Sequence, residues 1–295
     1  MTTTKLSAGP LAIEGYRRRR LPRRVAGHVL TWAIGGSVAA VVVIPLAYAI
    51  LGGFKTNGEL VGSAALLPDQ WVFSNYAELL TSVVFWREVG NSLVVTSVAT
   101  ALVVSLSTLA AFVLARVPFK GREAVYTLFT LGLLFPIAVA ILPLFILVRD
   151  LGLLDNPLGI ALPEAAFGLP LTIVILRPFF RSIPNELEDA AYIDGCGSFG
   201  FFWRILLPLS RPILATVGVL AIVASWNQFL LPLVMLSSES NWTLPLGVTN
   251  FSTQYTTDTA RILAYTTLAL VPAIVFYLFA ERQLVGGLTQ GSVKG

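Results

Sequence analysis

An all-α membrane protein with six transmembrane helices is the fold class this sequence predicts, on three observations. The chain is 56% hydrophobic and 12% charged over 295 residues, with a mean hydropathy of +0.79, and a soluble domain of that size has no way to bury so much apolar surface. Six stretches are long and apolar enough to cross a hydrocarbon core about 30 Å thick, which takes roughly 20 helical residues: 29–51, 92–115, 124–148, 158–180, 212–236 and 262–280. They are continuous rather than alternating, which excludes barrel strands, and unpaired backbone is not tolerated in lipid.

The elements follow in order. A basic arm, 1–28, precedes the first span and carries Arg17, Arg18, Arg19, Arg20, Arg23 and Arg24. The first span ends in Ala47-Tyr48-Ala49, which resembles a signal-peptidase site, but the basic region before it is much longer than a secretory signal has, so the span is read as retained. Residues 52–91 form the longest stretch outside the bilayer, broken by Pro68, Trp71, Asn75 and Tyr76. The second span bears Ser107, Ala111 and Ala115 at four-residue spacing, the pattern of close helix packing in membranes. Pro118 and Gly121 punctuate a tight turn at 116–123, residues 151–157 make a short turn on the opposite side, and 237–261 is a second loop on that side. The membrane-embedded body therefore runs 29–281 and a short tail 282–295 follows. Of the 20 Lys and Arg residues, only Lys55, Arg87, Arg149 and Arg261 fall on the side away from the termini. The positive-inside rule then places both termini in the cytoplasm. The basic excess is read as inner-leaflet anchoring and not as nucleic-acid binding.

Between the fourth and fifth spans lies a charged, helix-forming island, 184–212. Pro184 suits a first helical turn, and Glu186, Glu188 and Asp189 sit where the helix dipole favours negative charge. Gly195 supplies a permissive stop, Ser198 a cap for a second short helix over 199–207, and Pro208 its end. The product is a helix-turn-helix hairpin projecting inward. Ala190 and Ala191 keep one face small, while Leu187, Tyr192, Phe202, Trp203 and Leu206 offer anchors to a partner. An amphipathic loop lying on the inner leaflet fits the same pattern equally well.

The chain offers no catalytic constellation. Gly52-Gly53-Phe54-Lys55-Thr56 has Phe54 where a phosphate-binding loop needs Gly. His28 is the sole histidine and Cys196 the sole cysteine, so neither a His-based metal site nor a disulfide framework is expected. Two features inside the spans carry polarity. Glu164, after Pro163, lies roughly 9 Å from the outer end of the fourth span at 1.5 Å per residue. It fits a solute pathway or pairing with a neighbouring subunit, and the structural or interfacial role is the preferred reading. Trp226 and Asn227, well inside the fifth span, suit the face and hydroxyls of a sugar ring, with an interhelical hydrogen bond as the other reading of Asn227.

The spacing Asp189-Ala190-Ala191, three residues, Gly195, nine residues, Ile205, one residue, Leu207-Pro208 resembles the E-A-A-x3-G-x9-I-x-L-P signature of binding-protein-dependent ABC importer permeases, with Asp in place of Glu. Leu151-Gly152-Leu153-Leu154-Asp155, Ile183-Pro184-Asn185-Glu186-Leu187, Ser225-Trp226-Asn227-Gln228-Phe229-Leu230 and the terminal 286–295 add to it, and together they resemble the maltose-type sugar permease branch. The resemblance implies a type I ABC importer permease fold in which the island is a cytoplasmic coupling-helix hairpin, 184–208. It assigns ATPase coupling to Glu188, Asp189, Ala190, Ala191, Asp194, Gly195, Ile205, Leu207 and Pro208. It gives ATPase contact to Gln290, Gly291, Ser292 and Lys294 in the tail, and a candidate substrate pathway to Glu164, Trp226 and Asn227. It implies no cofactor on this chain, with ATP and Mg on a partner ATPase dimer. A second homologous permease, an extracytoplasmic solute-binding protein, membrane lipid and a sugar substrate complete the expected assembly, in a bacterial cytoplasmic membrane. Permeases for glycerol phosphate or another polar solute, and a membrane receptor or scaffold recruiting a cytoplasmic protein, are the alternative readings. A proton-coupled carrier expects internal symmetry that this chain lacks.

Overall fold

The computed structural model describes residues 21–253 and 255–290. Most of the basic arm, and the tail residues Gly291, Ser292 and Lys294, lie outside the described residues; Gln290 is the last residue of the final helix. The elements are α1 (Leu21–Gly52), α2 (Asn57–Gly62), α3 (Ser74–Thr81), α4 (Val83–Arg116), α5 (Arg122–Gly132), α6 (Ile137–Asp150), α7 (Pro157–Ser182), α8 (Asn185–Ile193), α9 (Ser198–Phe201), a π turn (Phe202–Leu206), α10 (Leu207–Leu209), α11 (Arg211–Trp226), α12 (Leu230–Met235), α13 (Leu244–Gly247) and α14 (Thr259–Gln290). Among the described residues, β-structure is limited to an isolated bridge between Ser252 and Thr257.

Four helices are each long and apolar enough to cross a membrane, and two bent pairs add further candidates, so the described residues provide four to six apolar spans. The α4–α7 pair forms the centre, α11 packs on both, and α14 joins α11 to α1. Gly168 makes the central approach close, because a Cβ there would lie 2.7 Å from Val103 Cγ2. The core divides into a cluster at the end carrying the α8–α10 hairpin (Phe112, Leu176, Phe180, Phe201, Phe202, Leu206), a middle cluster (Val95, Val148, Ile160, Leu231, Met235) and a third around Phe85, Trp226, Leu244 and Tyr265.

Two expected continuous spans are broken. Stretch 124–148 is α5 and α6, meeting at 100°. Pro136 supplies no N–H, and in a continuing helix its ring would strike the Gly132 carbonyl. The chain instead tightens through Leu133, Leu134 and Phe135, each bonded three residues back. Stretch 212–236 stops at Trp226 and resumes as α12. There Pro232 would strike the Gln228 carbonyl, and the Gln228 side chain accepts the Leu230 N–H at 3.2 Å. In the other direction, α4 begins nine residues before the expected 92. Ser82 caps it, and Glu88 in its second turn is buried because Tyr265 Oη (2.6 Å) and Asn250 Nδ2 (3.0 Å) donate to it.

Residues 52–82, at the end opposite the hairpin, fold onto the helix ends. Asn75 donates to the Gly53 and Lys55 carbonyls (3.0 and 3.1 Å), and Tyr76 to the Ile50 carbonyl (2.7 Å). Gly53 is required there, since a Cβ would meet the Tyr76 hydroxyl at 2.5 Å. At the same end Asp155, at φ 57°, ties the α6–α7 turn to the 235–241 segment. Its carboxylate accepts from the Ser237 and Ser238 N–H groups (3.1 and 3.0 Å) and from Ser238 Oγ (2.5 Å), and its own N–H donates to the Met235 carbonyl.

Candidate functional site: the α8–α10 hairpin and the helix-lined cavities

The hairpin forms much as its residues dictate. Pro184 is the N-cap of α8, with Glu186 and Glu188 in the first turn. Its C-terminus closes with Gly195 at φ +81°, the Gly195 N–H on the Tyr192 carbonyl (3.1 Å) and the Cys196 N–H on the Ala191 carbonyl (2.9 Å). That is the paired closure a left-handed residue after a helix permits.

Three expectations change. Gly197, not Ser198, holds the N-cap of α9, and Ser198 Oγ lies 3.1 Å from Tyr192 Oη, which donates to Glu188 Oε1 at 2.8 Å. Pro208 does not end the second helix. The π turn at 202–206, with the Leu207 N–H bonded five residues back to Phe202, carries the helix past the proline to Leu209. A 77° bend then leads into α11. The third change concerns the faces. Ala191, Phe202 and Leu206 do not face outward; with Phe201 they pack into the hairpin-end core of their own chain. Ile205 and Leu207 pack against the same core, whereas Asp189, Ala190, Asp194 and Pro208 remain exposed. The outward apolar surface is Ile193 (86% exposed), Phe199 (69%) and Trp203 (54%), flanked by Leu187 and Tyr192. Phe199 and Trp203 stand edge to face at 6.0 Å. Ile193 and Phe199 are absent from the anchors read from sequence.

Sequence reasoning also missed the residue that fixes the hairpin. Arg116, the last residue of α4 and nearly buried, donates from Nε and Nη2 to the Phe180 carbonyl (3.0 and 2.6 Å) and from Nη2 to the Ile183 carbonyl. Its Nη1 reaches Asn185 Oδ1 (2.6 Å) and Glu188 Oε2 (3.3 Å). One planar guanidinium thus joins the end of α4, the unpaired carbonyls at the end of α7 and the first turn of α8. A second buried guanidinium, Arg177, donates to the Leu114 carbonyl (2.9 Å), pairs with Glu123 and lies 3.9 Å over the Tyr126 ring. Counted from the sequence, both read only as topology signals.

Among the described residues, two cavities are lined by the long helices. One, about 550 Å³ and largely apolar, runs between α4 and α11 down to Phe202 and Trp203 of the hairpin. The other, about 200 Å³ and half open, is bounded by α4, α6, α7 and α11 and lined by Glu164, Phe167, Thr172, Ser225 and Gln228 among others. Ser225 Oγ donates to Glu164 Oε2 at 2.5 Å, while Glu164 Oε1 is shielded from water and has no hydrogen-bond partner. Trp226 and Asn227 do not join Glu164 at this cavity. The indole is buried against α14, its Nε1 3.3 Å from the Ala269 carbonyl and its ring 5.8 Å from Phe276. Asn227 is exposed and donates to the Val223 carbonyl of its own helix (2.8 Å), so the expected interhelical bond is not made. Ser225 and Gln228, quoted from the sequence only within a motif, are the residues of that motif that reach the cavity. Among the described residues no three His, Cys, Asp or Glu side chains gather as a metal site.

A helical bundle with several apolar spans, a half-open and mostly apolar cavity holding one carboxylate, and a hairpin clamped to three helix ends has the build of a multi-pass membrane protein. Residues 104–283 match the family model described as the binding-protein-dependent transport system inner membrane component, and this chain belongs to that family. It is 35% identical over 258 residues to the diacetylchitobiose uptake system permease protein NgcG of Streptomyces coelicolor, covering 87% of this chain and 85% of that protein. It is 34% identical to the arabinooligosaccharides transport system permease protein AraQ of Halalkalibacterium halodurans (92% and 100%). With the trehalose transport system permease protein SugB of Mycobacterium tuberculosis it shares 33% (90% and 97%). Its fold is also that of a chain from a bacterial ABC transporter involved in import of the acidic polysaccharide alginate, with a TM-score of 0.76 at 22% identity, covering 89% of this chain and 97% of that one.

Proposed function

We propose that this chain is the membrane-spanning permease subunit of an ATP-driven importer for a sugar or oligosaccharide, and that the 184–208 hairpin couples it to separate ATPase subunits. The cargo class rests on relatives named for diacetylchitobiose, arabinooligosaccharide and trehalose transport. In this reading α5 with α6 makes one crossing and α11 with α12 another, while α8–α10 stays on the cytoplasmic side, giving six spans with both termini in the cytoplasm of a bacterium. The basic arm is 1–28, the permease domain 29–281 and the tail 282–295. A homologous permease and an extracytoplasmic solute-binding protein complete the assembly, and a likeness to a transporter solved with its periplasmic protein (TM-score 0.64, 18% identity) supports the latter. ATP and Mg belong to the ATPase dimer, which the tail residues Gln290, Gly291, Ser292 and Lys294 approach.

The observation that carries the coupling role is the hairpin's two-sidedness. Its inner side is locked into the ends of α4, α7 and α11 through Arg116, Phe201, Phe202 and Leu206, and its outer side presents Ile193, Phe199 and Trp203 to a partner. Fully burying an Ile or Phe side chain is worth about 1.5–3 kcal/mol, so these residues are the anchors a groove would take, against the cost of association. Closure of the ATPase pair on ATP pushes the hairpin, and a hairpin that cannot slide on its own bundle passes the push to the helices. The bundle then rocks from inward-open to outward-open, hydrolysis resets it, and solute crosses by alternating access. The cavity beside Glu164 lies on the solute's route. Co-purification tests the reading: a tagged chain brings down an ATPase, a second permease and, with saccharide present, a binding protein. The double substitution Ile193→Asp, Trp203→Asp releases the ATPase alone. Undiminished ATPase recovery from the doubly substituted chain would refute the docking role.

A further inference from the structure

The cavity between α4, α6, α7 and α11 has one ionisable group in its lining, and that group is an acid. Glu164 stands among Phe167, Thr172, Ser225, Gln228 and aliphatic side chains, with no Lys, Arg or His in the wall. One carboxylate oxygen accepts from Ser225, and the other is sealed from water with no donor. An orphaned acceptor beside a cavity is costly to maintain unless a donor reaches it at some stage of the working cycle. Thr172 does not serve, because its hydroxyl lies 3.0 Å from the Gly168 carbonyl of its own helix. Gln228 has its side-chain oxygen engaged by Leu230 N–H, which leaves an amide NH2 as the donor this wall offers.

We infer that this cavity selects its solute by charge: it takes saccharides that are uncharged or carry an amine and turns away those bearing a carboxylate or phosphate. The inference rests on the importer reading and adds a selection rule to it. Hydroxyl and ammonium groups donate to Glu164, the ring face rests on Phe167, and a ring hydroxyl accepts from Gln228. A uronate or sugar phosphate brings only acceptors and like charge to the same carboxylate, and the wall supplies no cation to offset them. Glu164 is thus a specificity-determining residue, with Ser225 positioning it.

Charged thiol reagents test this without knowledge of the cargo. In a Cys196→Ser background, Ala224→Cys places a thiol in the cavity wall of the complete transporter reconstituted in vesicles. Its rates with a cationic and an anionic methanethiosulfonate are measured at pH 8 from each side, relative to a small thiol in solution. The normalised cation-to-anion ratio is expected to exceed roughly tenfold, to fall to near one in Glu164→Gln and to invert in Glu164→Lys. A ratio near one with Glu164 intact, or one that Glu164→Gln leaves unchanged, overturns the charge selection while the solute route stands. A thiol that reacts with neither reagent from either side, in vesicles shown to contain the assembled complex, shows a cavity closed to water and overturns the route itself.

Discussion

Replacing Arg116 with methionine keeps the apolar stem and removes the guanidinium that joins α4, α7 and α8. Three groups lose their donor: the Phe180 and Ile183 carbonyls at the end of α7, and Asn185 Oδ1 at the start of α8. Hydrogen bonds to a charged group contribute about 1.5–3 kcal/mol each. Water reaching the opened end of α7 recovers part of that. Glu188 loses an ion pair but keeps the Tyr192 hydroxyl and is partly exposed, so its loss is small. The net destabilisation of the hairpin is about 3 kcal/mol, which corresponds to roughly a hundredfold rise in local opening. Hydrogen exchange read by mass spectrometry over 183–195 measures this directly, with the α4 and α7 interiors as internal standards. Arg116→Lys recovers part of the protection, because a single ammonium cannot hold α7 and α8 together as a planar fork does. Exchange over 183–195 within twofold of the parent in Arg116→Met would refute the clamp.

Other outcomes follow from the same geometry. Gly195→Val has open space for its side chain but no comfortable backbone at φ +81°, a strain of about 1–2 kcal/mol. In reconstituted vesicles it lowers solute uptake while ATP hydrolysis persists, and unchanged uptake would contradict this. Tyr265→Phe strips a donor from buried Glu88 and costs about 1–3 kcal/mol, read as a lower melting temperature in detergent, and no change would mean that the Glu88 network carries no stability. The Ser238 hydroxyl, with the backbone N–H groups of Ser238 and Ser237, holds the Asp155 carboxyl below the usual aspartate range. A depressed folded value gives a tie that is fully present above the unfolded pKa of about 3.9 and fades as pH falls through the folded one. Protection over 235–241, taken as exchange relative to the intrinsic rate at each pH, therefore holds at neutral pH and falls only under acid, and Asp155→Asn abolishes that acid-dependent step.

The sequence announces the hairpin because its signals are local: Pro184 before an acidic turn, Gly195 where the backbone turns left-handed. It announces Glu164 because an acid inside an apolar run stands out. The helix breaks are not legible, since proline alone does not decide them. Pro136 and Pro232 interrupt apolar stretches, yet α7 runs through Pro163, Pro170 and Pro178. The hairpin's faces are misread because the apolar pattern does not say which side its own bundle covers: Phe202 and Leu206 turn inward and Phe199 and Trp203 stay outside. Glu88 and Arg116 escape for another reason. Their partners lie 162 to 177 and 64 to 72 residues away, so the Arg reads as a topology marker and the Glu as one more residue of the 52–91 loop.

Force transfer through the 184–208 hairpin is most directly tested by site-specific photo-cross-linking in native membranes. A photoreactive residue at 193 or 203 sits on the exposed face, and one at 206 sits in the core as a control. Mass spectrometry of the adducts should find a nucleotide-hydrolysing subunit from 193 and 203 and only this chain from 206. Phospholipid as the sole adduct from both exposed positions would contradict the account.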